Sequence, residues 1–280
     1  MKKTVAVTTQ RSLFERFAAA PHLVWSVLFI ITPLLFVAYY AFTDDTGAFT
    51  LLNLSAFFTD YFGIFLRSVK LAVIATLICL VIGYPVAYCI SRAKPHTQKI
   101  LLMLIMLPMW MNFLLRTYSW MTILQDKGLI NSFLGLFGIG PLHILGTEGA
   151  VVVGMVYDYL PYMIVPIYTV MSKLDYRLVE AAHDLGCNHL GVLRRVILPL
   201  SISGVISGIT MVFVPSISTF YISQKLSGGK FYLIGDAIES QYLNNNYHMV
   251  ASLSLVLMLI LLIGLAIVNH FTDEEGGMVP

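Results

Sequence analysis

The hydrophobic and polar positions of this 280-residue chain fall into long charge-free runs separated by short segments that hold most of the charge. A helix needs about 20 apolar residues to cross a hydrocarbon layer of about 30 Å. Six windows meet that length: Leu23 to Phe42, Leu71 to Ile90, Ile100 to about Leu124, Gly149 to Ser172, Ile202 to about Gln224, and Met249 to Asn269. Arg116 interrupts the third window and Asp158 the fourth. The pattern predicts an all-α membrane protein with six transmembrane helices over residues 22–270, preceded by segment 1–21 and followed by tail 271–280. The first window is too long for a signal-peptide core of about 7–15 residues and lacks a clear small-residue cleavage site, so it reads as a retained span.

Pro33, Pro85, Pro108, Pro161, Pro166 and Pro215 fall inside the windows. Each removes a backbone donor, which predicts bent or broken helices and suits a cavity better than a tight bundle. Gly204 and Gly208 form a GxxxG on the fifth window beside Ser203 and Ser207, a pattern that lets another helix approach closely.

Orientation follows from Lys and Arg in the connections. An inward N-terminus puts Lys2, Lys3, Arg11, Arg16, Arg92, Lys94, Lys99, Lys173, Arg177, Arg194 and Arg195 in the cytoplasm. Arg67, Lys70, Arg116, Lys127, Lys225 and Lys230 then lie opposite, a bias of eleven to six that predicts cytoplasmic N- and C-termini. The acidic Asp273, Glu274 and Glu275 read as a frayed tail and carry little weight, since carboxylates contribute little to orientation.

Composition agrees. With 58% hydrophobic residues, 11% charged residues and a mean hydropathy of +0.81, a water-soluble globule is excluded, and lipid is the expected surrounding. A net charge of +2 without a basic, aromatic-interleaved stripe gives no reason to expect a nucleic-acid partner. Cys79, Cys89 and Cys187 have neither disulfide-framework nor metal-ligand spacing, so no metal is expected and Cys79 and Cys89 read as small hydrophobes.

The connection from Lys173 to Pro199 is too long for a turn and too polar to span. Asp175 can cap a helix with Leu178, Ala181, Ala182 and Leu185 on one stripe, and Arg177, Glu180 and Asp184 on the wetter side. Gly186 supplies a left-handed stop. Asn188 can then cap a second helix, which should run through Arg194 and Arg195 and end at Pro199.

Glu180-Ala181-Ala182, three residues, Gly186, nine residues and Val196-Ile197-Leu198-Pro199 resemble the EAA loop (EAA-x3-G-x9-I-x-L-P) of ABC importer permeases, with Val196 in place of Ile. The resemblance implies a type I importer (MetI-like) fold in which Glu180, Ala181, Ala182, Gly186 and Pro199 belong to a coupling loop that docks on an ATP-hydrolysing subunit. Two alanines allow a close partner surface, Gly186 sets the angle, and Glu180 can accept charge-assisted hydrogen bonds. Leu226-Ser227-Gly228-Gly229-Lys230 looks like the ATPase signature LSGGQ, but no GxxxxGK[ST] phosphate loop accompanies it, and a Gly-Gly turn is the better reading. The chain is thus expected to be a non-catalytic subunit that binds no cofactor itself, with ATP and Mg used by the partner; no GxSxG or HExxH points to enzyme chemistry.

Asp158, about ten residues into its window, lies where an Asp costs on the order of 2.5–3.5 kcal/mol on insertion scales. Such a group should face a cavity or a partner. Tyr157, Tyr159, Tyr162 and Trp110 lie on this and the preceding window, with Tyr118 and Trp120, and a carboxylate beside aromatic faces suits a cation in transit. The other reading is a structural Asp bonded to a neighbouring helix through Arg116.

From about Ser68 to Asn246 the chain resembles spermidine/putrescine importer permeases of the PotB/PotH type. The likeness runs through Ile82-Gly83-Tyr84-Pro85-Val86-Ala87-Tyr88, Leu107-Pro108-Met109-Trp110, Leu160-Pro161-Tyr162, Glu180 to Gly186, and Gly228-Gly229 followed by Ile234-Gly235-Asp236. It implies a bacterial inner-membrane permease that forms half of a polyamine pathway, with a second homologous permease, two ATP-binding subunits and an extracytoplasmic substrate-binding protein. Other small organic cations, opines or ferric iron are alternative cargoes. An ion-coupled secondary carrier would account for Asp158 but not for the loop.

Overall fold

The computed structural model describes residues 21–175 and 177–276, with side chains to 267. Lys2, Lys3, Arg11 and Arg16 lie outside the described residues, as do the last four of the tail. In chain order the helices are α1 (Pro21–Ala41), α2 (Leu52–Arg92), α3 (Pro95–Trp110), α4 (Phe113–Leu124), α5 (Leu129–Gly135), α6 (Glu148–Met171), α7 (Arg177–Asp184), α8 (His189–Leu200), α9 (Ile202–Ser218), α10 (Tyr221–Leu226), α11 (Ile234–Leu243) and α12 (Tyr247–Gly276). Among the described residues the β structure amounts to an isolated bridge, Thr43 to Phe49.

Four helices, α1, α2, α6 and the Tyr247–Ile267 part of α12, are each long and apolar enough to cross a membrane; two bent pairs raise the number to as many as six. The third window is therefore not one straight helix. It breaks by 90° between α3 and the segment beginning at Phe113. Pro108 sits in a tight 3-10 turn, Met111 is extended, and Asn112 restarts the helix by accepting the Leu114 N–H at 2.8 Å. The fifth window also breaks: α9 ends at Ser218, just after Pro215, and Tyr221 begins a separate helix.

The other prolines do not break their helices. Pro85 lies within α2, and Pro161 and Pro166 within α6. Two are accommodated by widened turns: π-helical turns at Val27–Ile31 and Leu193–Ile197 each end two residues before a proline, Pro33 and Pro199. The wider turn reroutes the carbonyls a proline ring would strike. Pro199 thus does not stop α8, which continues to Leu200 and meets α9 at 67°. α2 begins well before the expected Leu71; within it Lys70 bonds Glu148 (2.6 Å) and Arg67 stacks over Phe231 (5.5 Å to the ring centre), so both charges have partners.

The centre is the trio α2, α6 and α9. Gly204 and Gly208 make that packing possible: a Cβ on Gly204 would lie 3.0 Å from the Pro166 carbonyl oxygen, and one on Gly208 2.8 Å from Met163 Sδ. α1 is peripheral and lies along α12. One end of the bundle carries α7 and α8, whose Val179, Ala182, Val192 and Ile197 close a core with Ala87, Ile90, Ile167 and Met171. Gln98 ties that end together. Its Nε2 donates to the carbonyls of Ser91 (3.1 Å) and Ala93 (2.9 Å), while its Oε1 accepts from the Tyr168 hydroxyl (2.9 Å).

Candidate functional site

The segment after α6 builds a helix, a turn and a second helix. Asp175 Oδ1 accepts the Arg177 N–H at 3.0 Å. Beyond α7 the Cys187 N–H donates to Ala182 O (3.0 Å) and the Gly186 N–H to His183 O (2.9 Å), with Gly186 at φ +83°. This paired closure requires a left-handed residue, which glycine adopts without steric cost. Asn188 Oδ1 then accepts the Gly191 N–H at 2.8 Å and starts α8.

The buried stripe of α7 differs from the expected one. Val179 and Ala182 face the core, whereas Leu178, Ala181 and Leu185 face outward beside exposed Glu180 and Gly186. The short helix seats only one narrow edge on the bundle. Leu185 is 86% exposed, so α7 presents an apolar ridge outward, flanked by Arg177 and Asp184. Pro199 lies a helix away, next to the corner where the Tyr84 hydroxyl meets Ser201 Oγ at 3.0 Å.

Asp158 lies inside the bundle at 4% side-chain exposure, with Oδ1 2.9 Å from Nη1 of Arg116 on α4. Arg116 is therefore not at the far end of the bundle where charge counting put it. The attraction is electrostatic rather than an aligned hydrogen bond, since Asp158 Oδ1 and Arg116 Nε both lack a well-directed hydrogen-bond partner. Arg116 also stands over the Phe113 ring at 5.7 Å.

The aromatic candidates do not converge on this carboxylate as one group. Tyr157 meets Trp120 edge-on at 5.3 Å, and the Tyr159 hydroxyl reaches the Pro215 carbonyl at 3.4 Å. Tyr162 lines a hollow of ≈ 390 Å³ with Met106, Met109, Gly204 and Met211 on an open face of α3, α6 and α9. Trp110, 82% exposed, projects from the end of α3.

At the opposite end from α7, Gly228 (φ +60°) and Gly229 (φ +76°) form a turn between α10 and α11. Next to it is an arrangement that sequence reasoning missed: Asp236 Oδ2 accepts the Leu233 N–H at 2.8 Å, and Oδ1 lies 2.8 Å from Ser223 Oγ. Ser223 Oγ is also 2.8 Å from the Phe220 carbonyl, and its single proton can serve only one acceptor. An ionised Asp236 takes that proton and leaves the Phe220 carbonyl to the Gln224 N–H at 2.9 Å, whereas a protonated Asp236 can donate to Ser223, which then donates onward. Burial pushes the Asp236 carboxyl up to about 6 against the lowering by the Leu233 N–H and Ser223. The Asp at the third helical position was a legible half of a capping box; its buried serine partner was not.

The family model described as "Binding-protein-dependent transport system inner membrane component" matches residues 79–273. Among relatives, the spermidine/putrescine transport system permease protein PotB of Haemophilus influenzae is 38% identical over 262 residues, covering 89% of this chain and 92% of that protein. PotB of Escherichia coli is 39% identical over 229 residues, covering 79% and 83%. A bacterial ABC transporter that imports alginate shares the fold with TM-score 0.69 at 16% identity, covering 93% of this chain and 96% of that one. The alginate transporter bound to its pentasaccharide-loaded periplasmic protein gives TM-score 0.74 at 14% identity, covering 93% and 94%. With helices long and apolar enough to cross the membrane several times, this chain belongs to the family of bacterial inner-membrane permease components of binding-protein-dependent transport systems.

Proposed function

We propose that the chain is the permease subunit of an ATP-driven polyamine importer. Relatives at 37–39% identity over most of the chain are spermidine/putrescine permeases, and this is the observation that carries the cargo assignment. In this reading the bent pairs each count as one span, giving six, with both termini in the cytoplasm. The exposed ridge of Leu178, Ala181 and Leu185, with Glu180 and Gly186 beside it, supports docking of α7 on a separate ATPase. Two ATPase subunits, a second homologous permease and an extracytoplasmic binding protein complete the assembly, and the ATP and Mg belong to the ATPases.

The open face of α3, α6 and α9 around Tyr162 suits the second permease, and the pathway then runs between the two. Asp158 serves that pathway through Arg116 rather than alone. Alternating access follows: the loaded binding protein docks, the ATPases close on ATP, and α7 and α8 carry the closure to α9. Binding along the way must be weak enough for release.

The test is uptake of labelled spermidine and putrescine into cells lacking their own polyamine importers, with this chain expressed beside its partner subunits. Saturable uptake that vanishes without this chain, or with an inactive ATPase, is the expected result. A verified assembled complex that takes up neither amine would discard the cargo.

A further inference from the structure

Where α7 and α8 meet the ends of α2 and α6, the packing leaves a cavity of ≈ 560 Å³. It is larger than the hollow around Tyr162 and falls within the range of about 300–1,000 Å³ usual for small-molecule sites. Four parts of the chain line it: Tyr88, Ser91 and Arg92 at the end of α2, Ser172 just after α6, His183 on α7 and His189 at the start of α8.

The lining has one sign. Arg92 is a permanent cation, both imidazoles can take up a proton, and no carboxylate is among the lining residues. Asp175 and Asp184 adjoin lining residues in the sequence but do not line the cavity themselves. The Ser91 and Ser172 hydroxyls already donate to carbonyls one turn back, those of Tyr88 (2.8 Å) and Thr169 (3.1 Å). The chargeable donors are therefore Arg92 and the two histidines.

Each of these groups is held in place. The Arg92 guanidinium stands over the Tyr88 ring at 5.4 Å. His183 Nδ1 donates to the Cys187 carbonyl at 3.0 Å, which fixes the ring and leaves Nε2 for another partner. The His189 ring meets that of His183 edge-on at 4.9 Å. A guanidinium presents five N–H donors in a planar fork that matches two oxygens of a phosphate, so one such group can be shared between the fork and the imidazoles.

We propose that this cavity binds a phosphate group between Arg92, His183 and His189, and that the bound group fastens α7 to the ends of α2 and α6. The phosphate is either the phosphodiester of an anionic lipid headgroup or the free ion, since both present the same oxygens. Its influence on transport rests on the coupling role proposed for α7; the binding itself does not.

The full chain is purified in detergent without ATPase subunits, whose nucleotide sites would also hold phosphate, and is treated with diethyl pyrocarbonate. Modification of His183, His189 and the exposed His143 is followed by mass spectrometry. Sodium phosphate is compared with sodium chloride at equal ionic strength, and the chain in equimolar phosphatidylcholine and phosphatidylglycerol vesicles with the chain in phosphatidylcholine alone. A ligand at about twice its dissociation constant slows modification about threefold, so His183 and His189 should slow by that factor or more while His143 does not change. Slowing by sodium phosphate assigns the site to the free ion, and slowing by phosphatidylglycerol alone assigns it to the lipid headgroup. Arg92→Gln should remove the protection, and Arg92→Lys, which keeps the charge but loses the fork, should retain part of it. No slowing by either source, equal slowing by chloride, or full protection in Arg92→Gln overturns the proposal, and the wild-type comparison decides even where Arg92→Gln is not recovered. If protection is as expected while an importer carrying Arg92→Gln takes up spermidine at the wild-type rate, the site stands and its influence on coupling falls.

Discussion

Arg116 on α4 and Asp158 on α6 face each other at 2.9 Å in the interior, although 42 residues separate them in the sequence. Removing one partner of a buried pair leaves an uncompensated charge, at about 3–5 kcal/mol, whereas removing both is far milder. Asp158→Asn and Arg116→Gln should therefore each lower the yield of assembled complex, and the double variant should recover most of it. Size-exclusion profiles of the three variants check this. A single Asp158→Asn that assembles normally but does not transport would assign the carboxylate directly to the solute.

Gly186 at φ +83° has no neighbour within 4 Å of where a Cβ would sit, so any substitution effect there is backbone strain rather than a clash. Left-handed geometry costs most residues about 1–2 kcal/mol, and Asn tolerates it better than Ala. Gly186→Ala should lower ATPase co-purification and uptake, and Gly186→Asn should fall between Ala and wild type. Equal uptake by all three would remove this turn from the coupling role.

Gly204 and Gly208 give a packing test. The nearest atoms to a Cβ on Gly204 include the Pro166 carbonyl oxygen and Ile167 Cα, at 3.0 and 3.1 Å, both backbone. On Gly208 the nearest are Met163 Sδ at 2.8 Å and the Met163 carbonyl oxygen at 3.1 Å. Overpacking of this kind typically costs about 1–3 kcal/mol, so Gly204→Ala and Gly208→Ala should each lower the Tm of the purified complex; an unchanged Tm would mean that α6 and α9 can move apart without loss.

Asp236 predicts a pH dependence of definite sign. Its folded pKa, about 6, is above the ordinary 3.8, so the stability it contributes is full below about pH 4 and is lost as the pH rises through 6. Asp236→Asn keeps the Leu233 contact, can donate to Ser223 and cannot ionise. The fall in Tm from pH 5 to pH 8 should therefore be smaller in Asp236→Asn than in wild type, measured by thermal unfolding in detergent. An identical fall in both would mean that Asp236 is already ionised at pH 5.

Local chemistry made the α7–α8 loop legible: a cap at Asp175, a left-handed glycine at 186 and a cap at Asn188 act within a few residues of themselves, and each is present. Hydrophobic runs fall on the four long apolar helices and the two bent pairs but do not give the breaks, because a proline does not say whether its helix will bend. Pro108 sits in a break, while Pro161 and Pro166 ride inside a continuous helix supported by neighbours. The stripe on α7 was misplaced because an eight-residue helix seats only a narrow edge, and the apolar residues left over face outward. Contacts that depend on tertiary approach, Lys225 with Tyr118 or Ser223 with Asp236, left no periodic trace.

The 67° corner at Ser201 makes α8 and α9 a crank. A push along the axis of α8 cannot simply slide α9 lengthwise; most of it arrives as sideways sweep. Tyr84 of α2 meets Ser201 Oγ at the elbow, so the corner itself is tied to α2 at 3.0 Å.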